Sequence, residues 1–408
     1  MKNRSFPLGF LAAAALVWAG GAASALAADP VPPAHDMGKM WQAALKRPAL
    51  SVGAFFDQRG WLWLARVESG YLYVSYSEDK GKSFSLPVKV NSIPESIAAD
   101  GENRPKIMAT KDGQVYVAYT SSLEKPFSGH IRFSRSTDGG KNFFEPVTVN
   151  DNREVISHRF EALGVDSRGR IYLAWLDKRD QSVAQKKGQA YAGAAVYYAV
   201  SDDGGGSFGP NRKVADNSCE CCRVAMALGR DDVPVIFWRH VYGKNVRDHA
   251  LAKLDGKSQP VRVSHDNWEV DACPHHGPAI SIADDGVYHL VWFDNGPQLH
   301  GLFYASSTDQ GKTFSVPQAF GNYEAQAGHP HVLSLGKAVH VVWKEFDGQN
   351  SVIRGMSSAD GGKSWSAPRR IAATAGASDH PLLLADGTQP YLSWNTAKEG
   401  LRLIGMEP

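Results

Sequence analysis

Short runs of apolar, β-branched and aromatic residues recur along the chain, and polar turns separate them. Runs of this length between Asp-Gly and related turns are the signal of strands joined by hairpins. The runs are Trp61–Ala65, Val115–Tyr119, Ile171–Trp175, Val235–Trp238, Val287–Trp292, Val339–Trp343 and Pro390–Trp394. Because there are seven of them at regular spacing, they predict an all-β protein of seven similar units.

A second repeat marks one turn in most of these units. Its pattern is Ser-x-Asp-x-Gly-x-(Ser/Thr/Asn)-(Phe/Trp), in which the aspartate can accept backbone hydrogen bonds and the glycine permits unusual dihedral angles. The five copies are Ser77–Phe84, Ser136–Phe143, Ser201–Phe208, Ser307–Phe314 and Ser358–Trp365. A repeated turn indicates a repeated supersecondary unit.

The spacing of the five copies shows where one is missing. Their aspartates are separated by 59, 65, 106 and 51 residues. The gap of 106 residues spans two units, so we expect the fourth unit to have lost its copy.

The repeated turn resembles the Asp-box of the sialidase superfamily. This resemblance implies a single β-propeller in which each box joins the third and fourth strands of a blade. Classical sialidases have six blades, whereas the strand count here favours seven, with six as the alternative. The last unit, from His380 onward, has about three strands, so we expect residues 38–48 to supply the fourth.

The N-terminus has the features of a secretory signal peptide. Lys2 and Arg4 precede the apolar run Phe10–Val17, and Ala25–Ala27 forms a small-x-small cleavage site. The predicted organisation is a signal peptide at 1–27, a flexible leader at 28–38 and a propeller at 39–408, with an exposed loop at 180–191. We expect a periplasmic or secreted protein without membrane insertion.

The net charge bears on the class of ligand. The formal net charge is +2, which gives no reason to expect nucleic acid as a partner. The sequence identifies no partner protein.

Polar residues recur where the first strand of each unit begins and where the second ends, two positions on one propeller face. Three arginines in consecutive units, Arg104, Arg159 and Arg223, are similar to the sialidase arginine triad, which implies recognition of a carboxylate on an acidic glycan or small molecule. Carboxylates that could act as acid or base groups on the same face are Asp177, Asp294 and Glu345. Glycoside hydrolysis needs such groups beside the scissile bond.

The four cysteines fall in two short segments that begin adjacent units. Cys219, Cys221 and Cys222 come before one first strand, and Cys273 comes before the next, followed by His275 and His276. We therefore expect the two segments to meet. His329 and His380 begin neighbouring units and could add imidazole ligands.

Two interpretations of the cysteines remain open. An even number of cysteines in an exported protein favours disulfides. Thiolates together with imidazoles equally favour a soft metal ion, copper first and zinc as the alternative.

Three functional classes follow. The first is an exported propeller that binds a soft metal ion, for metal handling or a metal-dependent reaction. The second is a sialidase-like exo-glycosidase acting on acidic glycans. The third is a non-catalytic propeller that binds a glycan or a protein, because propellers serve all three roles.

Overall fold

The structure is a computed structural model that describes residues 49–407. Its architecture is a β-propeller of seven small antiparallel sheets, the blades. The sequence-based expectation of seven blades is therefore confirmed. The proposed signal peptide, the leader and the strand expected from residues 38–48 lie outside the described residues.

The first four blades each contain four strands in sequential order. Blade one comprises β1 (Gly53–Phe56), β2 (Leu62–Glu68), β3 (Tyr71–Ser77) and β4 (Val88–Lys89). Blade two comprises β5 (Lys106–Ala109), β6 (Val115–Ser122), β7 (Gly129–Ser136) and β8 (Val147–Thr148). Blade three comprises β9 (His158–Val165), β10 (Ile171–Asp177), β11 (Ala194–Ser201) and β12 (Arg212–Ser218). Blade four comprises β13 (Ala225–Leu228), β14 (Pro234–Arg239), β15 (His249–Lys253) and β16 (Val261–Arg262).

The remaining blades follow the same order. Blade five comprises β17 (Ala279–Ile282), β18 (Tyr288–Asn295), β19 (His300–Ser307) and β20 (Gln318–Phe320), and a 3-10 turn at Tyr323–Ala325 follows it. Blade six comprises β21 (Gly328–Leu335), β22 (Ala338–Phe346), β23 (Ser351–Ser358) and β24 (Arg369–Thr374). Blade seven has three described strands, β25 (Leu382–Ala385), β26 (Pro390–Thr396) and β27 (Gly400–Gly405).

The ring is closed by its first strands. Each packs beside the first strand of the next blade, and β25 packs beside β1. The hydroxyl of Ser51 also donates to Asp379 of blade seven at 2.6 Å. Closure brings the loops before all seven first strands to one end of the central channel.

Large aromatic side chains on the second strands fill the space between blades. Six tryptophans, one in each blade except blade two, are at most 1 % exposed: Trp63, Trp175, Trp238, Trp292, Trp343 and Trp394. In blade two, the buried Tyr119 lies near the end of the corresponding strand. The regular aromatic of the sequence pattern is thus the core residue that holds neighbouring blades together.

Each copy of the eight-residue pattern forms a turn between the third and fourth strands of its blade. In blade two, the Ser136 hydroxyl accepts a hydrogen bond from Gly140 N at 2.9 Å and donates to Asp138 at 2.7 Å. Asp138 in turn accepts the backbone N–H of Asn142 at 3.0 Å. Blade four replaces this turn by a shorter one, in which Asp255 accepts the Ser258 N–H at 2.7 Å.

The exposed loop expected at 180–191 does lie between two strands, β10 and β11, but its first part is helical. Helix α1 spans Arg179–Lys186. An isolated eight-residue helix is unstable in water, so the local sequence pattern alone does not predict it. Tertiary contacts stabilise it: Ala184 is buried, and Ser182 donates to Glu154 at 2.8 Å. Among the residues that the structure describes, no helix has the length and apolar character needed to span a membrane.

Candidate functional site

Three buried thiols form the centre of the candidate site. Cys219, Cys221 and Cys222 lie in the loop between β12 and β13 and are 1 %, 5 % and 2 % exposed. Their sulfurs are closely spaced, with Cys219 Sγ 3.6 Å from Cys221 Sγ and 3.8 Å from Cys222 Sγ. All four cysteines of the chain are free thiols in the structure.

The second cysteine segment meets the first, as the alignment of the units predicts. The donor atoms of Cys221, Cys273 and His275 lie within 4.8 Å of one another. Cys273 is half-buried and His275 is exposed, so this side of the cluster faces solvent. His275 has a φ of 53°, in the left-handed region that non-glycine residues seldom occupy outside turns and functional sites.

Hydrogen bonds and positive charge favour a thiolate at Cys219. Contacts with the sulfurs of Cys221 and Cys222, together with the charges of Arg247 and Arg239, hold the pKa of Cys219 well below its usual range despite burial. The guanidinium of Arg247 donates to its sulfur at 3.2 Å. A thiolate is the form of cysteine that binds metals.

Arg239 connects this cluster to blade five. It lies at the end of β14, is 1 % exposed, and donates to the carbonyl oxygens of His276 at 3.1 Å and Phe293 at 2.6 Å. It also supplies positive charge beside Cys219. The segment carrying Cys273 is thus fixed relative to blade four.

Glu102, which the sequence analysis missed, organises the channel mouth. This 4 % exposed carboxylate accepts Arg223 Nη1 at 2.9 Å and Gly277 N at 2.9 Å. Burial alone would raise its pKa, but the charge of Arg223, the hydrogen bond with His329 and the nearby His380 hold the pKa well below its usual range. The sequence offers one indication of this role: Glu102 lies two residues before Arg104, close to the start of the first strand of blade two.

His329 and His380 converge on Glu102. Their Nδ1 atoms lie 3.1 Å and 3.4 Å from Glu102 Oε1. Their rings stack at 3.4 Å, and His276 stacks on the other face of His329 at 4.6 Å. The imidazoles expected to complete the cysteine cluster thus form a second group of potential ligands.

The three arginines have different surroundings. Arg104 pairs with Asp379 at 3.1 Å, and Arg223 pairs with Glu102 at 2.9 Å, so an internal carboxylate already neutralises each charge. Arg159 Nε is buried without a hydrogen-bond partner among the described residues. The three side chains therefore do not form one open clamp for an external carboxylate.

Asp177 and Glu345 act as acceptors for buried tryptophans. Trp175 Nε1 donates to Asp177 at 2.8 Å, and Trp343 Nε1 donates to Glu345 at 2.7 Å. Arg179 lies 2.8 Å from Asp177, so this acid is also ion-paired. Both carboxylates therefore have a structural role, because each accepts a hydrogen bond from a tryptophan in the blade interior.

Asp294 has a different environment. It is fully buried, its Oδ2 has no described hydrogen-bond partner, and burial raises its pKa to about 8. Its carboxylate oxygen lies within 4.8 Å of those of Asp248 and Asp266. Arg239 lies near both Asp294 and the cysteines.

A cavity of about 310 Å³ lies along the channel. Glu102, Arg104, Arg223 and His331 contribute polar groups, and strand residues such as Ile107 contribute apolar ones. Lys106 also lines it, and burial lowers the pKa of its ammonium to about 8. The cavity therefore combines charged and apolar groups.

Comparisons with known proteins support the fold. No family model matches the chain, and no curated protein matches it significantly. A PL25 ulvan lyase is 11 % identical, with 88 % of this chain and 94 % of that chain covered and a TM-score of 0.54. The BP39L lectin from Burkholderia pseudomallei is 12 % identical, with 88 % and 99 % covered and a TM-score of 0.54.

A sialidase is also among the similar structures. The Hadza microbial sialidase Hz136 is 15 % identical, with 83 % of this chain and 74 % of that chain covered and a TM-score of 0.48. At these identities the likeness concerns architecture alone. In fold, this chain is a seven-bladed β-propeller.

Proposed function

We propose that this protein is an exported propeller that binds one soft metal ion, copper in preference to zinc, at the channel mouth. The ligands are the thiolates of Cys219, Cys221 and Cys222, and Cys273 or His275 completes the set. The observation that carries the proposal is the close approach of three buried sulfurs that form no disulfide.

The sulfur spacing supports this ligand set. Metal–sulfur bonds of about 2.3 Å in tetrahedral geometry separate two sulfurs by about 3.8 Å. The separations of 3.6 and 3.8 Å match that edge, whereas a disulfide has a bond of about 2.05 Å. Little rearrangement is needed to place an ion between the three sulfurs.

The surrounding charges also support a thiolate site. Three thiolates around a monovalent ion leave an excess negative charge, which is costly when buried. Arg247 and Arg239 lie beside the cluster and offset this charge. Thiolate ligands select Cu(I) or Zn(II), and Cu(I) is the softer of the two.

An exported protein with these ligands fits a role in metal handling. The half-buried Cys273 and exposed His275 leave one side of the site accessible, so an ion can enter from solvent or from another molecule. A metal-dependent reaction at the same site would use this open side for its substrate.

The proposal is tested by titrating reduced protein, purified without a histidine tag, with Cu(I) and a competing chelator under anaerobic conditions. We expect one tightly bound ion, with affinity at least tenfold lower in Cys221→Ser. Cys273→Ser should weaken binding less, because Cys273 is at the edge of the cluster. Two quantitative disulfides by mass spectrometry and no metal binding above background would refute the proposal.

Two other functions remain as proposals. A sialidase-like exo-glycosidase would use Arg159 and the channel cavity to hold an acidic glycan, and a non-catalytic propeller would bind a glycan or protein on the same face. Turnover of a fluorogenic sialoside would favour the first. Glycan binding without turnover, by protein that binds no metal, would favour the second.

A further inference from the structure

We propose a second metal site at the propeller axis, formed by Glu102, His329 and His380, for a divalent first-row transition-metal ion. This site contains no sulfur and is distinct from the cysteine cluster. Two imidazole nitrogens and one carboxylate oxygen suit Zn(II), Fe(II) and similar ions, and leave coordination positions open.

The donor spacing is that of a coordination shell. Metal–nitrogen and metal–oxygen bonds of about 2.0–2.2 Å place neighbouring donors about 3.0–3.5 Å apart. The two Nδ1 atoms lie 3.1 and 3.4 Å from the same carboxylate oxygen, Glu102 Oε1. The rings of His329 and His380 lie face to face, with centroids 3.4 Å apart and an angle of 18° between their planes, so the rings would have to turn toward each other to point both nitrogens at one ion.

Buried nitrogen atoms without partners provide an independent indication of a ligand. His380 Nδ1 and His276 Nδ1 are both buried and make no hydrogen bond with the described residues. An unpaired buried polar atom is destabilising. An ion at the axis would satisfy His380, and His276 could supply a third imidazole beside His329.

The carboxylate is held in a fixed orientation. Glu102 Oε2 accepts the N–H groups of Arg223 at 3.2 Å and Gly277 at 2.9 Å, while Arg223 Nη1 donates to Oε1 at 2.9 Å. Hydrogen-bonded carboxylates of this kind are usual around bound metals. The positive charge of Arg223 opposes a cation, so we expect weaker affinity here than at the thiolate site.

The backbone at His329 also indicates a specialised position. Its φ is 54°, and the pairing of β21 with β22 is irregular between Gly328 and His331. A β-bulge changes the direction of a side chain and is common near functional sites. Here the bulge lies where His329 leaves the regular strand toward Glu102.

The two cysteine segments contact the axial site as well as carrying the sulfur cluster. Cys222 belongs to the sulfur cluster and Arg223, the next residue, binds Glu102. His275 belongs to the sulfur cluster, while Gly277 binds Glu102. Two ions would therefore lie close together at the channel mouth, one held by sulfur and one by nitrogen and oxygen.

The test separates the axial site from the thiolate site. The full mature chain carrying Cys219→Ser, Cys221→Ser, Cys222→Ser and Cys273→Ser is titrated with Co(II), followed by visible absorption, and then with Zn(II) in competition. We expect one equivalent of Co(II) to bind with nitrogen and oxygen ligation and Zn(II) to displace it. This experiment does not depend on Cu(I) binding by the native thiols.

Matched variants identify the ligands. His329→Ala, His380→Ala and the isosteric Glu102→Gln should each weaken Co(II) binding at least tenfold. His340→Ala, which removes a buried histidine on β22 outside the proposed ligand set, should leave it unchanged. If circular dichroism shows that the cysteine-free chain does not fold, wild-type protein saturated with Cu(I) is used in its place. One equivalent of Co(II) is then expected to bind in addition to the Cu(I). Absence of this equivalent in folded protein, or unchanged binding in all three ligand variants, would overturn the proposal.

Discussion

The guanidinium of Arg247 donates to Cys219 Sγ at 3.2 Å, and its Nε donates to the carbonyl oxygen of Val270 at 3.1 Å. Cys219 lies in the first cysteine segment, and Val270 lies just before the second. One arginine therefore both stabilises a thiolate and fixes the two segments relative to each other.

Replacing Arg247 should weaken metal binding without removing a ligand. A charged hydrogen bond contributes about 1.5–3 kcal/mol, so we expect Arg247→Gln to lower Cu(I) affinity about 10- to 100-fold. Competition titration measures this change. Arg230→Gln is the control, because Arg230 contacts only an exposed turn carbonyl among its described hydrogen bonds. Equal affinities for wild type and Arg247→Gln would contradict the role given to this arginine.

Arg159 and Arg104 should respond differently to substitution. Arg159→Ala should weaken sulfate or carboxylate binding by about 1–3 kcal/mol, the scale of a charged hydrogen bond. Arg104→Ala should instead lower the free energy of unfolding by about 3–5 kcal/mol, because it leaves Asp379 buried without its cation. Isothermal calorimetry and urea unfolding separate the two effects. Anion affinity that is unchanged in Arg159→Ala would remove the anion site.

The repeated turn provides a test of packing between blades. Gly362 has a φ of 84°, and a Cβ added there would overlap the hydroxyl of Tyr304 in blade five. Gly361 has a similar φ of 75° but open space around the added Cβ. We expect Gly361→Ala to cost about 1–2 kcal/mol from backbone strain, and Gly362→Ala about 1–3 kcal/mol more from overpacking. Equal losses in urea unfolding would show that the close approach to Tyr304 is unimportant.

Asp294 should make the protein less stable as pH rises. Burial raises its pKa in the folded protein from 3.8 to about 8, and Asp266 and Asp248 add negative charge despite Arg239 nearby. Its stabilising contribution is therefore complete below about pH 4 and is lost as the pH rises through about 8, by at most about 1.4 kcal/mol per pH unit. Asp294→Asn, which imitates the neutral acid, should flatten this dependence.

Urea unfolding at about pH 5 and about pH 8.5 measures the slope. Asp284→Asn, at an exposed position in the same blade, is the control and should behave as wild type. A wild-type slope in Asp294→Asn would show that another group titrates over this range.

The architecture could be predicted because its signals are local and repeated. The seven apolar runs, of which the first begins at Trp61 and the last at Pro390, identify the second strands. The serine and glycine of the eight-residue pattern are the residues whose hydrogen bond forms the turn. Helix α1 was not predicted, since a short helix depends on contacts such as that between Ser182 and Glu154. Any element that depends on contacts with residues distant in the sequence is equally difficult to predict from the sequence.

The site could be predicted only in part. Aligned positions in successive units bring Cys221, Cys273 and His275 together, because every first strand begins on one face. Glu102 lies in an interblade loop, and its importance comes from contacts with Arg223, His329 and His380, far away in the sequence. Likewise, nothing in the sequence showed that Asp177 and Glu345 accept hydrogen bonds from tryptophans.

X-ray absorption of the reduced protein loaded with one equivalent of Cu(I) tests the central proposal most directly. We expect a copper coordination shell dominated by about three sulfurs at about 2.3 Å, which loses sulfur in Cys221→Ser. A shell made of nitrogen and oxygen alone, or copper that fails to remain bound to folded, reduced protein, would contradict it.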